Sequence, residues 1–134
     1  MGNLMSRPIK KKPKQPILNW FEIPVLDLKR AAAFFNHVYG VELEIIGTAE
    51  YAMAMLPTES GVGGALVMGQ GCIPSETGVL IYLNAIDDME VMLERIEQAG
   101  GRVIMRKTMI SDDSGYFSLF IDSEGNKLAL HSNI

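Results

Sequence analysis

Apolar residues follow a helical pattern in each half of the chain. They recur at spacings of three and four, which places them on one side of a helix. The stripes are Leu28, Ala31, Ala32, Phe35 and Val38, then Met89, Met92, Leu93 and Ile96. Asp27 and Asp87 precede the stripes, and Gly40 and Gly100 each follow thirteen positions later. Aspartate accepts hydrogen bonds from first-turn amides, and glycine ends helices in a left-handed conformation. The spacing therefore predicts two matched helices.

Short apolar runs predict strands around each helix. One run precedes each helix and three follow it, at 43–46, 51–56 and 64–68, then at 102–106, 116–121 and 127–131. Turn-forming residues separate the last two runs in each half. The pattern therefore predicts an α+β fold of two tandem βαβββ modules, about 17–70 and 77–132. Each sheet needs cover on its second face, which predicts a curved, barrel-like mixed sheet around a cleft with the helices outside. A cleft of this kind is the expected ligand site.

Length and composition fit one globular domain over residues 17–132. The chain has 134 residues, of which 48% are hydrophobic and 21% charged. It lacks both a run of about 18–20 apolar residues and a secretory signal, so we expect a cytoplasmic protein. Cys72 is the only cysteine, which excludes an intramolecular disulfide.

The N-terminal residues differ in charge from the rest. The first sixteen carry five positive charges and no acid, leaving −9 on the rest of a chain whose total is −4. Lysines mixed with prolines predict a solvated, flexible arm over residues 1–16. Met1, Gly2 and Ser6 match the N-myristoylation pattern, but the motif is short and we expect no membrane association. The acidic body offers no basic face for nucleic acid.

Several segments resemble the glyoxalase / bleomycin resistance / dioxygenase superfamily, also called vicinal oxygen chelate. They are 21–25 (FEIPV), Asp27-Leu28, Tyr39-Gly40, 99–103 (AGGRV) and 122–127 (DSEGNK). The chain is most similar to small proteins labelled as related to lactoylglutathione lyase, which carry a tyrosine in the fifth strand, like Tyr82, and end near a His-Ser pair, like His131-Ser132. The resemblance also implies a homodimer, which would cover an exposed edge around Tyr82.

The resemblance also marks where catalytic relatives hold a divalent metal. Their His, Gln or Glu ligands come from the first, fourth, fifth and eighth strands. In this chain the four positions carry Trp20, a residue near Leu66, Ile81 and Ala129. None of these side chains coordinates such a cation. We therefore expect no metal and no other cofactor, with these four residues as mostly apolar walls of a ligand site.

Glu22 and His131 are the ionisable residues predicted on the cleft face. Strand alternation places Glu22 with Trp20, and His131 with Ala129. The two could form an acid/base pair or bind a polar group of a ligand. Alternatively, Glu22 pairs with a buried donor and His131 lies at a solvated sheet end. Tyr82 and Asn84 alternate away from Ile81, so we expect them on the helix side or at a subunit interface.

Three functions remain open from the sequence. The first is metal-free binding of a small, largely apolar molecule. The second is a lyase or isomerase distantly like glyoxalase I that uses Glu22 and His131. The third is a non-catalytic assembly subunit whose cleft is filled by its own side chains.

Overall fold

The computed structural model describes residues 13–134. Most of the predicted N-terminal arm, including the myristoylation motif, therefore lies outside the described residues. In the part that is described, no helix is both long and apolar enough to cross a membrane.

The described chain forms two βαβββ modules in tandem, as predicted. Module one contains β1 (Trp20–Pro24), α1 (Leu28–Tyr39), β2 (Glu44–Gly47), β3 (Tyr51–Leu56) and β4 (Gly63–Gly69). Module two contains β5 (Tyr82–Asn84), α2 (Met89–Gln98), β6 (Arg102–Ser111), β7 (Gly115–Ile121) and β8 (Lys127–Ser132). The predicted strand bounds agree closely except at β6, which continues past Arg106 to Ser111 through several irregular pairs with β7.

The strands form two curved, mixed sheets, which confirms the predicted α+β fold. Their orders are β1-β4-β3-β2 and β5-β8-β7-β6. The first and last strands of each module pair in parallel, and the remaining pairs are antiparallel. The two sheets remain separate and do not close a barrel. Strands β1 and β5 are therefore edge strands of their sheets.

The two helices begin differently, although the sequence predicted matched starts. Asp27 caps α1 by accepting a hydrogen bond from a first-turn amide, and Gly40 ends this helix with φ 66°. Asp88 caps α2, so the prediction that Asp87 is the N-cap was wrong. Asp88 is one residue nearer the first-turn amides, and Asp87 instead pairs with Arg95 at 3.1 Å. Helix α2 has ten residues where α1 has twelve.

One hydrophobic core joins the helices to one face of each sheet. Phe34 on α1 stacks on Phe120 of β7 with ring centroids 6.4 Å apart. Ile23 and Leu66, which are paired across β1 and β4, are buried in the same core. We call this the helix face of each sheet, and the opposite side the open face. Trp20 and Tyr82 lie on the open faces and remain exposed.

Candidate functional site

An open cleft of about 1000 Å³ is lined by residues of both modules. Its walls are Phe35 and Tyr39 of α1, Phe21 and Glu22 of β1, the hairpin between β3 and β4, residues 79–84 and Ile86. Both faces of β1 and of β5 reach the cleft because each is an edge strand. The volume is at the upper end of the range for small-molecule sites.

Gly64 helps to shape this cleft. A Cβ atom at Gly64 would lie 2.5 Å from Cζ of Phe21, which is far inside contact distance. The missing side chain lets the Phe21 ring lie flat over β4. An alanine here would push that ring, which is itself a wall of the cleft.

Glu22 is the only charged residue that lines the cleft in the described part of the chain. Trp20 Nε1 donates a hydrogen bond to its Oε2 at 3.3 Å. The Tyr39 hydroxyl donates a hydrogen bond to the backbone carbonyl oxygen of Asn84 at 2.9 Å. Burial raises the pKa of this phenol. The phenol therefore stays neutral at physiological pH. The cleft offers one carboxylate, a few neutral polar groups and largely apolar walls.

The structure brings only part of the predicted site together. Glu22 and Ile81 line the cleft, and Trp20 adjoins it through its bond to Glu22. Leu66 is fully buried on the helix face of β4, opposite Ile23. Ala129 lies on the open face of β8, opposite Tyr82, and is fully buried.

His131 is not among the residues that line the cleft. Its Nε2 lies 2.6 Å from the Ser114 carbonyl oxygen, so this nitrogen carries a proton and donates. On β8 it pairs with Asn84, whose side chain shares the open face. An acid/base role with Glu22 remains a prediction, and the arrangement seen here does not place the two groups in one site.

Tyr82 and Asn84 lie on the open face, not on the helix side. The ladder pairs Tyr82 with Ala129, so their side chains point the same way, whereas Ile81 packs against the core. The Tyr82 ring also lies 6.3 Å from that of Phe117. Tyr82 and Asn84 therefore do point away from Ile81, as alternation predicts. The two sides are exchanged, however, because Ile81 lies on the helix side of β5.

The donor set does not fit the divalent metal of catalytic relatives. Trp20 and Ala129 offer no ligand atom, and Leu66 and Ile81 are aliphatic side chains directed toward the helices. The open-face neighbours of Leu66 on β4 are Ala65 and Val67, which are equally unable to coordinate. Within residues 13–134, no three His, Cys, Asp or Glu side chains are grouped to hold a metal ion.

Several cleft residues cannot be assigned to a site from the sequence. Phe35 belongs to the apolar stripe of α1, Tyr39 ends that helix, and residues 57–63 have the composition of a turn. Tyr39 directly precedes Gly40, where the apolar stripe of α1 ends at the surface. This position was the one sequence feature that could have indicated Tyr39 as a cleft residue. The assembly of α1, the hairpin and β5 around one space depends on tertiary packing.

A buried carboxylate joins the hairpin of module two to module one. The Glu124 side chain is 0% exposed and accepts hydrogen bonds from the amides of Leu26 and Asp27, each at 2.9 Å. Arg30 donates from Nε at 2.7 Å and from Nη2 at 2.9 Å. Burial raises the pKa of Glu124, but bonds from Arg30, the backbone and Ser123 outweigh it and lower that pKa to about 2. We call this arrangement the Glu124 clamp.

The comparisons with known proteins agree with this architecture. The family model for the Glyoxalase/Bleomycin resistance protein/Dioxygenase superfamily matches residues 17–130. The chain belongs to this superfamily. A glyoxylase-like domain-containing protein from Didymella fabae is 23% identical over 118 residues, which cover 84% of this chain and 91% of the relative.

Solved structures show the same fold. A glyoxalase-related enzyme from Fulvimarina pelagi has a TM-score of 0.64 at 16% identity and covers 89% of this chain and 88% of its own. Glyoxalase I from Zea mays has a TM-score of 0.63 at 18% identity. The match covers 85% of this chain but only 45% of the maize chain, so this chain corresponds to less than half of that enzyme. At these identities the likeness establishes the fold alone.

Proposed function

We propose that this superfamily member binds a small, largely apolar molecule in the cleft without a metal ion. The observation that supports this most is the lining, in which apolar walls surround the single carboxylate of Glu22. Such walls contribute about 25 cal/mol for each Å² of apolar ligand surface removed from water. The polar groups of Glu22, Tyr39 and Asn84 would orient the ligand.

The charge of the lining selects the class of ligand. No lysine, arginine or histidine of the described chain lines the cleft. An anionic ligand would lose hydration and gain no cationic partner there. A neutral ligand avoids this cost, and a positively charged ligand would pair with Glu22. The preferred ligand is therefore neutral or cationic.

A matched series of naphthalene compounds tests this proposal. Naphthylmethanol, naphthylmethylamine and naphthylacetate share one apolar ring and differ in charge. We expect the alcohol and the amine to raise the melting temperature and the acid to have no effect. Glu22→Gln should weaken amine binding by about tenfold, or about 1.4 kcal/mol, and leave alcohol binding unchanged.

The exposed Glu94 of α2 provides the control for this series. Glu94→Gln removes the same charge away from the cleft, so it should bind all three compounds as the wild type does. Preferential binding of the acid, or equal loss of amine binding in both variants, would contradict the proposal.

A lyase or isomerase activity distantly like that of glyoxalase I is the second candidate. Glu22 supports it, because a carboxylate in an apolar cleft is a suitable general base. Among residues 13–134, no cation lines the cleft, which argues against it because glutathione conjugates carry carboxylates. The test is turnover of the hemithioacetal of methylglyoxal and glutathione. Turnover by the wild type that is lost in Glu22→Ala would favour this candidate.

We also propose that the chain forms a cytoplasmic homodimer. Trp20 is 41% and Tyr82 51% exposed on the open faces, and large apolar side chains on an uncovered sheet face commonly mark an interface. In a twofold dimer, the open faces of one copy would be covered by the same faces of the second copy. Assembly alone, without ligand binding, would match the third function considered from the sequence. Sedimentation equilibrium tests the dimer, and a monomer at micromolar concentration would contradict it.

A further inference from the structure

The two modules are repeats, and the cleft lies where one of their shared contacts is missing. The amide of Val25 donates to Val67 O at 2.9 Å, and that of Ala85 donates to His131 O at 2.8 Å. These bonds are equivalent in the two modules. They make the Leu26-Asp27 amides of module one the counterparts of the Ile86-Asp87 amides of module two.

The two hairpins that follow have equal length. Leu56 pairs with Gly64 and Phe120 with Leu128, so seven residues separate the paired positions in each module. Gly61 and Gly125 occupy the same place, with φ 85° and 98°. On this alignment Ser60 replaces Glu124, the carboxylate of the clamp.

The other half of the clamp is replaced as well. The buried stripes of α1 and α2 align when Leu28 is matched with Met89 and Phe35 with Ile96. Module two therefore has one extra residue between β5 and α2, which is why its N-cap is Asp88. Val91 then replaces Arg30. The hairpin of module one therefore lacks the acid of the clamp, and α2, the helix that corresponds to α1, lacks the base.

The consequences are visible in the contacts of each hairpin. Residues 122–126 bond across to module one through Glu124, and through Asn126, which donates to Pro24 O at 2.8 Å. Residues 57–62 make no hydrogen bond to module two in the described chain, and the Thr58 hydroxyl donates only to Ser60 O within the hairpin. The amides of Ile86 and Asp87 likewise have no partner among the described residues. Hairpin 57–62 and Ile86 both line the cleft.

We propose that hairpin 57–62 is a gate of the cleft, and that the cleft is the space left by the missing clamp. The hairpin of the second module is held by an ion pair whose carboxylate is buried. The hairpin of the first module has no equivalent pair in the described chain, so it can move toward or away from the α2 end of β5. The passage of a ligand through the gate rests on the proposed function. The freedom of the hairpin to move does not.

Amide hydrogen exchange, resolved by NMR on the full chain without ligand, tests whether hairpin 57–62 is held against module two. We expect the amides of Ile86 and Asp87 to exchange at least about tenfold faster than those of Leu26 and Asp27, because exchange follows local opening. Equal protection of the two pairs would show that the hairpin is already held, and would overturn the proposal.

Restoring the clamp tests the gate. In Ser60→Glu/Val91→Arg the new pair should protect the amides of Ile86 and Asp87 and weaken binding of Nile red, a neutral apolar dye, by about tenfold or more. Ser60→Gln/Val91→Arg, which lacks the carboxylate, is the matched control; it should leave the amides of Ile86 and Asp87 unprotected and bind the dye more tightly than Ser60→Glu/Val91→Arg does.

The remaining outcomes separate the gate from the proposed function. Protection without weaker dye binding, or no protection in the restored clamp, would overturn the gate. If the wild type binds no Nile red and no naphthalene compound, the proposed function fails. In that case the exchange rates of the wild type and of the restored clamp still decide whether the hairpin is held.

Discussion

At the scale of single residues, Glu124 has the most consequential environment. A carboxylate removed from water is costly unless it is paired and hydrogen-bonded. Two backbone amides and the Arg30 guanidinium meet this requirement. These partners lie as far as 98 residues away in the chain. The turn residues 122–126 therefore gave no indication in the sequence that Glu124 is buried and paired.

Glu124→Gln should lower the free energy of unfolding by about 2–3 kcal/mol, the worth of hydrogen bonds made to a charged group. Chemical denaturation measures this loss. Glu59→Gln is the control, because Glu59 is an exposed residue of the other hairpin and should change stability by less than about 0.5 kcal/mol. Equal effects of the two substitutions would contradict the role of the clamp.

The pH dependence of stability follows from the same carboxylate. Its ordinary pKa is 4.5 and in the folded chain it is lowered to about 2, so its stabilisation is present above about 4.5 and lost as pH falls toward 2. The difference in stability between wild type and Glu124→Gln should therefore shrink over this window. Burial raises the pKa of the neighbouring Asp122, so the comparison with the variant is needed to isolate Glu124. A constant difference would contradict the assignment.

At the scale of elements, the strand and helix patterns were predictable because they depend on local periodicity. Alternation correctly placed Trp20 and Glu22 on one face of β1, as their hydrogen bond shows. The N-cap of α2 was misplaced by one residue because two adjacent aspartates, Asp87 and Asp88, are equally good caps in sequence. The structure separates them: Asp88 binds the first-turn amides, while Asp87 binds Arg95.

The two aspartates give a matched test of this assignment. Asp88→Ala should destabilise the protein by about 1 kcal/mol through loss of the cap. Asp87→Ala should cost less than about 1 kcal/mol, because it removes an exposed ion pair. Thermal denaturation of both variants measures the order, and a larger loss in Asp87→Ala would contradict it.

At the scale of the whole molecule, the cleft is formed by edges rather than faces. The sequence led us to expect a ligand between the sheet faces, lined by Trp20, Leu66, Ile81 and Ala129 together. Strand alternation cannot show that β1 and β5 end their sheets and therefore open both faces to the same space. The Tyr39 hydroxyl links α1 to β5 across the cleft lining by donating a hydrogen bond to the Asn84 backbone carbonyl.

The superfamily relationship was also predictable, since its residues occur at strand ends and turns that the fold itself requires. Such residues say little about chemistry, because one fold serves many functions. The proposed preference for a neutral or cationic ligand is instead based on the charge of the residues that line the cleft. It depends on which side chains meet across the two modules, which only the structure shows.

NMR chemical-shift mapping with naphthylmethylamine tests the central proposal most directly. We predict saturable shifts at Glu22, Phe35, Tyr39, Ile81 and Ile86, which line the cleft, and weaker binding in Glu22→Gln. Shifts confined to Phe117 of β7 and Met105 of β6, which lie on the open face of module two and do not line the cleft, or no shifts at all, would contradict a ligand site in the cleft.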